Sequence, residues 1–315
     1  MVLVKTILHH MGRFNTDRCG VKPVVIQPTT CASPNKVLVF HLIIDTRDQA
    51  YLQTKMNEWK LPNVAVHFYN IAKYMDLVRS VQSAHYSGSR SYIKLYLPEI
   101  LPSSVEKVIM LDADMLVNRH ICDLWAHFDR FNETQAFAMV PETSPYYWSE
   151  TGRKYWPSLG PGYNAGLVLF HLSRLRSMAW NSLWNENLQY LISNLGILPT
   201  AEQDVLNRIG HVQRQLLYTL PCIWNVQMGV LSVATMCPVT WSMTNEAAET
   251  AKSLAITELA LIHFNAPQKP ENVYPKRLRW VDDAHIYQPM TKKHLVARYL
   301  NVYYAFRDIP GQCFA

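Results

Sequence analysis

Apolar positions along this chain change period repeatedly, and the changes mark its elements. Lys36–Asp45 (KVLVFHLIID) is an apolar run of strand length, and the segment after it places Leu52, Met56 and Trp59 at helical spacing. Val64, Val66 and Phe68 then alternate as a half-buried strand does. Ser89–Pro102 (SRSYIKLYLPEILP) predicts a helix stopped by its prolines, and Val108–Leu111 a short strand apolar on both faces. Ile121, Leu124, Trp125 and Phe128 form one stripe of an amphipathic helix. Ala136–Glu142 and Asn164–Leu172 read as further strands, and Ser173 opens a helix expected to run to Asn194. Strands alternating with helices predict an α/β fold with a mostly parallel central sheet, whose ligands sit beyond the carboxyl ends of the strands.

At one such end stand Asp112 and Asp114. Carboxylates directly after four apolar residues are costly to bury, and their spacing puts both on one face of an extended backbone. A divalent cation between them would compensate that cost; so would a turn in which both accept backbone N–H groups. Leu261–Pro270 (LIHFNAPQKP) brackets His263 with apolar residues and ends in Lys269 within a proline-bounded loop. His263 fits either a buried core histidine or the third member of an O,O,N ligand set, with Lys269 then a point charge for a phosphate. Gly160–Phe170 (GPGYNAGLVLF) is a bend opening into a buried strand. Asn164 offers an amide to hydroxyls there, and small residues let a ligand approach the backbone, although a plain turn reads the same way. In Pro199–Gly210, Thr200 and Gln203 match a capping box and Gly210 suits the helix end. Glu202 and Asp204 are less simply explained by that helix, although its first turn welcomes acids.

Composition narrows the class. An apolar content of 49% over 315 residues supports a sizeable core, and no repeat, Gly/Ser linker or charge block divides residues 1–315, so one domain is expected. The net charge of +6 comes from scattered lysines and arginines. No basic stripe suits nucleic acid, whereas a few basic groups in a cleft suit a phosphorylated ligand. No apolar run approaches the roughly 18 residues that span a bilayer, and the first residues lack a signal-peptide pattern, so no membrane anchor is expected in this chain. The six cysteines lack C-x-x-C spacing, which argues against zinc. Cys222 and Cys237 flank a short polar loop and either pair, worth roughly 3 kcal/mol, or remain thiols. Asn132-Glu133-Thr134 is a glycosylation sequon for a chain in the secretory path.

VIMLDADM, GYNAGLVLF, AEQDVLN and IHFNAPQK occur in the order and spacing of the family 8 retaining glycosyltransferases, which this chain resembles over most of its length. Within that family, AHYSG, WPSLGPGYNAG, LRSMAW and LPCIWNVQ are similar to the LARGE-type xylosyltransferase domains, which build a xylose- and glucuronic acid-containing glycan on dystroglycan. The resemblance implies a GT-A (Rossmann-like) fold, a UDP-sugar donor that would be UDP-xylose, and manganese held by Asp112, Asp114 and His263. Lys269 would contact the diphosphate and Lys94 would lie beside the donor. Ala113 would belong to the donor site with its flanking aspartates, and Asn164, Ala165 and Gly166 would line the donor sugar. Gln203 would stand near the anomeric carbon opposite the leaving group, with Glu202 and Asp204 holding hydroxyls. Because an amide is a poor nucleophile, front-face attack is the expected route, with a UDP phosphate oxygen taking the acceptor's proton. The implied acceptor is a glucuronic acid-containing glycan on a dystroglycan-like glycoprotein, and the implied location the Golgi.

Two departures stand against that pattern. Glu202 occupies a position where the family usually has aspartate, and one added methylene can misplace a hydroxyl contact. Leu3–His10 (LVKTILHH) resembles the fold's first helix, yet no strand precedes it. That strand, central in the sheet and carrying the uracil site at its end, is expected to be missing, with the chain N-terminally incomplete and residues 14–35 an irregular insertion. Pro23–Pro28 (PVVIQP) is a poor substitute because of its prolines. Such a loss favours an inactive glycan-binding fragment, with Tyr146, Tyr147, Trp148 and Trp156 available to stack on sugars. An intact Asp112, Asp114, His263 and Lys269 set favours catalysis with UDP-xylose or another UDP-hexose.

Overall fold

The structure is a computed structural model and describes residues 1–15, 19, 37–79, 81–150, 152, 160–243, 251, 254–272 and 288–314. In chain order its main elements are α1 (Val2–His10), β1 (Leu38–Ile44), α2 (Thr46–Glu58), β2 (Val64–Asn70), α3 (Ala72–Val78) and, after a 3-10 turn over Gly88–Tyr96, α4 (Leu97–Ile100). Next come β3 (Lys107–Leu111), β4 (Met115–Val117), α5 (Ile121–Trp125), β5 (Phe137–Pro141), β6 (Tyr163–His171), α6 (Leu172–Ser177) and α7 (Trp180–Leu195). The remainder is α8 (Glu202–Val212), β7 (Leu217–Thr219), β8 (Val226–Gln227), β9 (Val239–Thr240), β10 (Thr257–Glu258), β11 (Leu261–His263) and α9 (Lys292–Asp308).

Strands β3, β6, β5 and β7 form one sheet in that order. Alternation along its central strands explains why they read as continuous apolar runs. Phe137, Met139, Val168 and Phe170 face a cluster that contains Trp180, Leu188, Val205 and Ile209 of α7 and α8. Ala138, Val140, Leu167 and Leu169 face the opposite cluster, with Ile7, Leu124, Phe128 and Leu261. Both faces are covered, so both must be apolar. Strand pairing is mixed: β6 runs antiparallel to β3 and β5, β7 runs parallel to β5, and β1 and β2 form a separate parallel pair. The sheet expected to be mostly parallel is thus mixed at its centre, because β6 returns against both its neighbours.

Among the described residues β1 pairs only with β2 and β3 only with β6, so each has one edge without a strand partner. The expected insertion at 14–35 lies mostly outside the described residues. Helix α1 forms as expected and carries a buried lysine, whose Nζ donates to the carbonyls of Phe306, Arg307 and Ile309. Those carbonyls end α9 and would otherwise lack partners, so Lys5 caps one helix from inside another. Cys19 is joined to Cys313 just beyond α9, a pairing the sequence did not indicate.

Three local expectations change. The Ser173–Asn194 helix is two helices broken at Ala179, whose φ is 21°. The break lets Arg176 reach carbonyls of Pro98, Leu101, Pro102 and Val105 while Trp180 Nε1 donates to Leu95 O. No capping box forms at α8: its N-cap is Ala201, and Gln203 turns its side chain elsewhere. Gly210 lies inside that helix, which continues to Val212.

Candidate active site

The turn between β3 and β4 presents Asp112 and Asp114, and three backbone bonds fix it. Asp112 N donates to Gly166 O of β6, Phe264 N donates to Asp114 O, and the Tyr299 hydroxyl of α9 also donates to Asp114 O. Antiparallel pairing of β4 with β11 sets His263 opposite Met115, which brings the histidine beside both aspartates. Sequence positions 150 residues apart thus meet through one ladder.

Each carboxylate divides its two oxygens between a lysine and the histidine. Asp112 Oδ1 lies 2.8 Å from Lys94 Nζ, while Oδ2 lies 4.0 Å from His263 Nε2. Asp114 Oδ2 lies 2.5 Å from Lys269 Nζ, while Oδ1 lies 3.3 Å from His263 Nε2. Burial alone would raise the Asp114 pKa, but His263 and Lys269 hold this carboxyl well below the usual range, so it stays ionised. On its far side His263 Nδ1 is 3.1 Å from Asn225 Oδ1, an oxygen that can only accept. The Nδ1 hydrogen is therefore spent there, and Nε2 is the ring nitrogen that faces the two carboxylates. Ligand atoms of Asp112, Asp114 and His263 all lie within 4.8 Å of one another, close enough for one cation to join them. The donor set, two carboxylate oxygens and one imidazole, fits a hard divalent ion such as manganese or magnesium.

These residues line a cleft of about 680 Å³. Its walls include Lys94, Ala113, Glu142, Tyr146, Asn164, Ala165, Gly166, Thr200, Glu202, Gln203, Lys269, Glu271 and the 229–232 loop. The volume falls in the range of small-ligand sites. Every residue expected at the site except Asp204 therefore lines this cleft, and three, Asp204 among them, behave differently from expectation. The ammonium of Lys94 bonds Asp112, Glu202 and Ala165 O, at 2.8, 2.8 and 3.1 Å, which uses all three of its hydrogens. Burial works against that charge, but Asp112 and Glu202 override it and keep Lys94 protonated. It rivets three elements together. Asp204, expected to hold a hydroxyl of a sugar, is turned away from the cleft. Its oxygens accept from Thr200 N, Thr200 Oγ1 and the Tyr147 hydroxyl, and burial lifts its pKa to about 6 in spite of these bonds. Gly166 is small for a protein neighbour: an added Cβ would sit 2.2 Å from His263 Cε1. The space above it belongs to the metal-ligand candidate.

The aromatic residues divide as well. Tyr147 is fully buried and holds Asp204, Tyr146 lines the cleft, Trp148 is exposed, and Trp156 lies outside the described residues. Sequence reasoning overlooked Glu142 and Asn225. Glu142 is 5% exposed and accepts from Asn164 Nδ2 at 2.9 Å and Gln203 Nε2 at 3.3 Å. Its signal was the same as that of Asp112, an acid ending an apolar strand. Asn225, fully buried within LPCIWNVQ, carried no comparable mark. Cys222 and Cys237 are joined, and the segment they close carries Asn225 and the 229–232 wall.

An α/β fold whose cleft holds an acidic, lysine-flanked cluster suits a phosphorylated ligand, and sequence comparison gives the class. The profile of glycosyl transferase family 8 matches residues 1–271, and the chain belongs to that family. Among curated proteins it is 33% identical over 251 residues to the xylosyl- and glucuronyltransferase LARGE2 of Rattus norvegicus, covering 79% of this chain and 34% of that protein. To LARGE1 of Homo sapiens it is 31% identical over 280 residues, covering 81% and 35%. The chain thus spans about a third of the length of these relatives. Among solved structures, mouse xyloside xylosyltransferase 1 in its apo form superposes with a TM-score of 0.56 at 18% identity, covering 84% of this chain and 93% of that one. The galactosyltransferase LgtC, in complex with donor and acceptor sugar analogs, gives 0.55 at 15% identity, covering 97% and 94%. At these identities the structures establish a shared fold, the GT-A glycosyltransferase fold.

Proposed function

We propose that this chain transfers xylose from UDP-xylose to a glucuronic acid-containing glycan, with retention of configuration and with manganese bound. The observation that carries this reading is the convergence of Asp112, Asp114 and His263 with Lys269 in one cleft. Asp112, Asp114 and His263 would hold the ion, which offsets charge on the diphosphate as the glycosidic bond breaks. Lys269, now on Asp114 and the Tyr86 hydroxyl, has a third hydrogen to share with a phosphate. Asn164 and Glu202 face the cleft where donor hydroxyls would lie.

Gln203 has its Oε1 on Ala165 N, 2.9 Å away, and its Nε2 toward Glu142. So held, the amide suits a dipole beneath the anomeric carbon better than a nucleophile. In the front-face route the bond from the anomeric carbon to UDP breaks, the acceptor oxygen bonds on the same face, and its proton passes to a UDP phosphate oxygen. Two disulfides accord with folding in an oxidising lumen, and the sequon asparagine, Asn132, is exposed. Both support a Golgi setting, and an acceptor on a dystroglycan-like glycoprotein rests on the resemblance to the LARGE relatives. The names of the LARGE relatives support xylose as the donor sugar.

Calorimetric titration of UDP with and without manganese, on the chain and on Asp114→Asn, tests the metal site. Binding should require both the ion and Asp114. A panel of UDP-xylose, UDP-glucose and UDP-galactose with a glucuronic acid-terminated acceptor, read by mass spectrometry, tests the donor. Transfer of a hexose in preference to xylose would overturn the donor assignment, and metal-independent UDP binding would overturn the site.

A further inference from the structure

A buried chain of hydrogen bonds connects His263 to the opposite wall of the cleft, and every bond in it has the same direction. His263 Nδ1–H donates to Asn225 Oδ1 at 3.1 Å, Asn225 Nδ2 to Asn164 Oδ1 at 2.9 Å, and Asn164 Nδ2 to Glu142 Oε2 at 2.9 Å. From the other side Gln203 Nε2 donates to the same Glu142 oxygen. The chain therefore ends on a carboxylate, which only accepts. Its remaining oxygen, Oε1, accepts from the backbone N–H groups of Thr143 and Ser144, both at 3.0 Å.

We propose that Glu142 is the positioning residue that sets the tautomer of His263. Because Glu142 accepts, Asn164 must turn its NH₂ toward it and its oxygen toward Asn225, an orientation that Gly166 N supports by donating to that same Asn164 oxygen at 3.0 Å. Asn225 must then present its NH₂ to Asn164 and its oxygen to His263. His263 must carry a hydrogen on Nδ1, and Nε2 is left as the nitrogen that faces Asp112 and Asp114 and that a cation would take. The far wall of the cleft thereby prepares the histidine to bind a cation before one arrives. This inference deepens the metal-site reading and rests on it only for the ion.

Glu142→Gln tests it with little change of shape. Backbone N–H groups of Thr143 and Ser144 cannot turn away, so the glutamine keeps its oxygen on them and points its NH₂ at two other NH₂ groups. Relief requires Asn164 to turn, which reverses Asn225 and removes the acceptor from His263 Nδ1. Asn164→Ala cuts the chain without touching Glu142, Asn225 or the ligands, and serves if the first variant fails to fold. The readouts are long-range proton–nitrogen NMR of ¹⁵N-histidine-labelled, metal-free chain at pH 8, with His263 assigned by His263→Gln, and calorimetric titration with manganese alone. Wild type should show His263 with hydrogen on Nδ1. The variants should lose that preference and bind manganese about 10–100-fold more weakly, the usual effect of removing a partner behind a metal ligand. Either folded variant retaining both the wild-type tautomer and wild-type affinity would overturn the proposal. If wild type binds no manganese, the metal reading fails by itself, and comparing the His263 tautomer in wild type and variants still decides the role of Glu142.

Discussion

Replacing Gly166 by alanine probes how strand β6 and the candidate metal ligand share space. The new Cβ would lie 2.2 Å from His263 Cε1, 2.6 Å from Nδ1 and 2.9 Å from Met115 Cε, against an ordinary contact of 3.4–4 Å. The ring must therefore retreat by more than an ångström. It is 3% exposed and pinned through Nδ1 to Asn225, so it cannot swing aside cheaply. Overpacking of this kind costs about 1–3 kcal/mol, from which roughly 0.5–1 kcal/mol is recovered because alanine loses less backbone freedom than glycine in a strand. A net loss of about 1–2 kcal/mol is expected by urea denaturation. Metal sites tolerate ligand displacements of only about 0.2 Å, so the larger effect should be a fall in manganese affinity of about 100-fold or more. Gly160→Ala is the control. No atom lies within 4 Å of its added Cβ, and only its φ of +69° opposes the change. It should cost stability, about 1–2 kcal/mol, without weakening manganese binding. A folded Gly166→Ala protein with wild-type manganese affinity would refute the assignment of that space to His263.

Other predictions follow from single groups. Burial depresses the His9 pKa to about 4, so its neutral form contributes stability fully above the unfolded value near 6.5, lost as pH falls through 4. The window is worth of order 3 kcal/mol, and His9→Phe should flatten the pH dependence of the unfolding midpoint between those values; an unchanged slope would contradict it. Asp204→Asn should lower stability by about 1–3 kcal/mol through its Thr200 and Tyr147 bonds while leaving UDP affinity near wild type, and a fall in UDP affinity alone would return Asp204 to the cleft. Removing both Cys222 and Cys237, which close a 15-residue separation, should cost about 3 kcal/mol in urea and weaken manganese binding, because the closed segment carries Asn225. Undiminished metal affinity in that variant would mean the segment holds its shape without the bond.

The sequence by itself determined the strand ends. Buried strands need apolar residues on both faces, so Val108–Leu111 and Asn164–Leu172 were legible, and the aspartates following the first stood out because burial penalises charge. It also located His263 and Lys269, and the comparisons confirm the family those motifs suggested. What it left open was partnership. Whether Thr200 or the cleft takes Gln203, whether Asp204 faces inward, and whether Gly166 is small for a ligand or for a histidine depend on neighbours up to 97 residues away. A polar side chain can satisfy itself locally or across the fold at similar cost, and only the packed structure selects one. The break at Ala179 has the same origin: contacts made by Arg176 and Trp180 with the 95–105 region outweigh a local helical pattern. Asn225 and Glu142 show the limit most clearly. Their function lies in the direction of hydrogen bonds between residues far apart in sequence, and direction exists only once the groups are in contact.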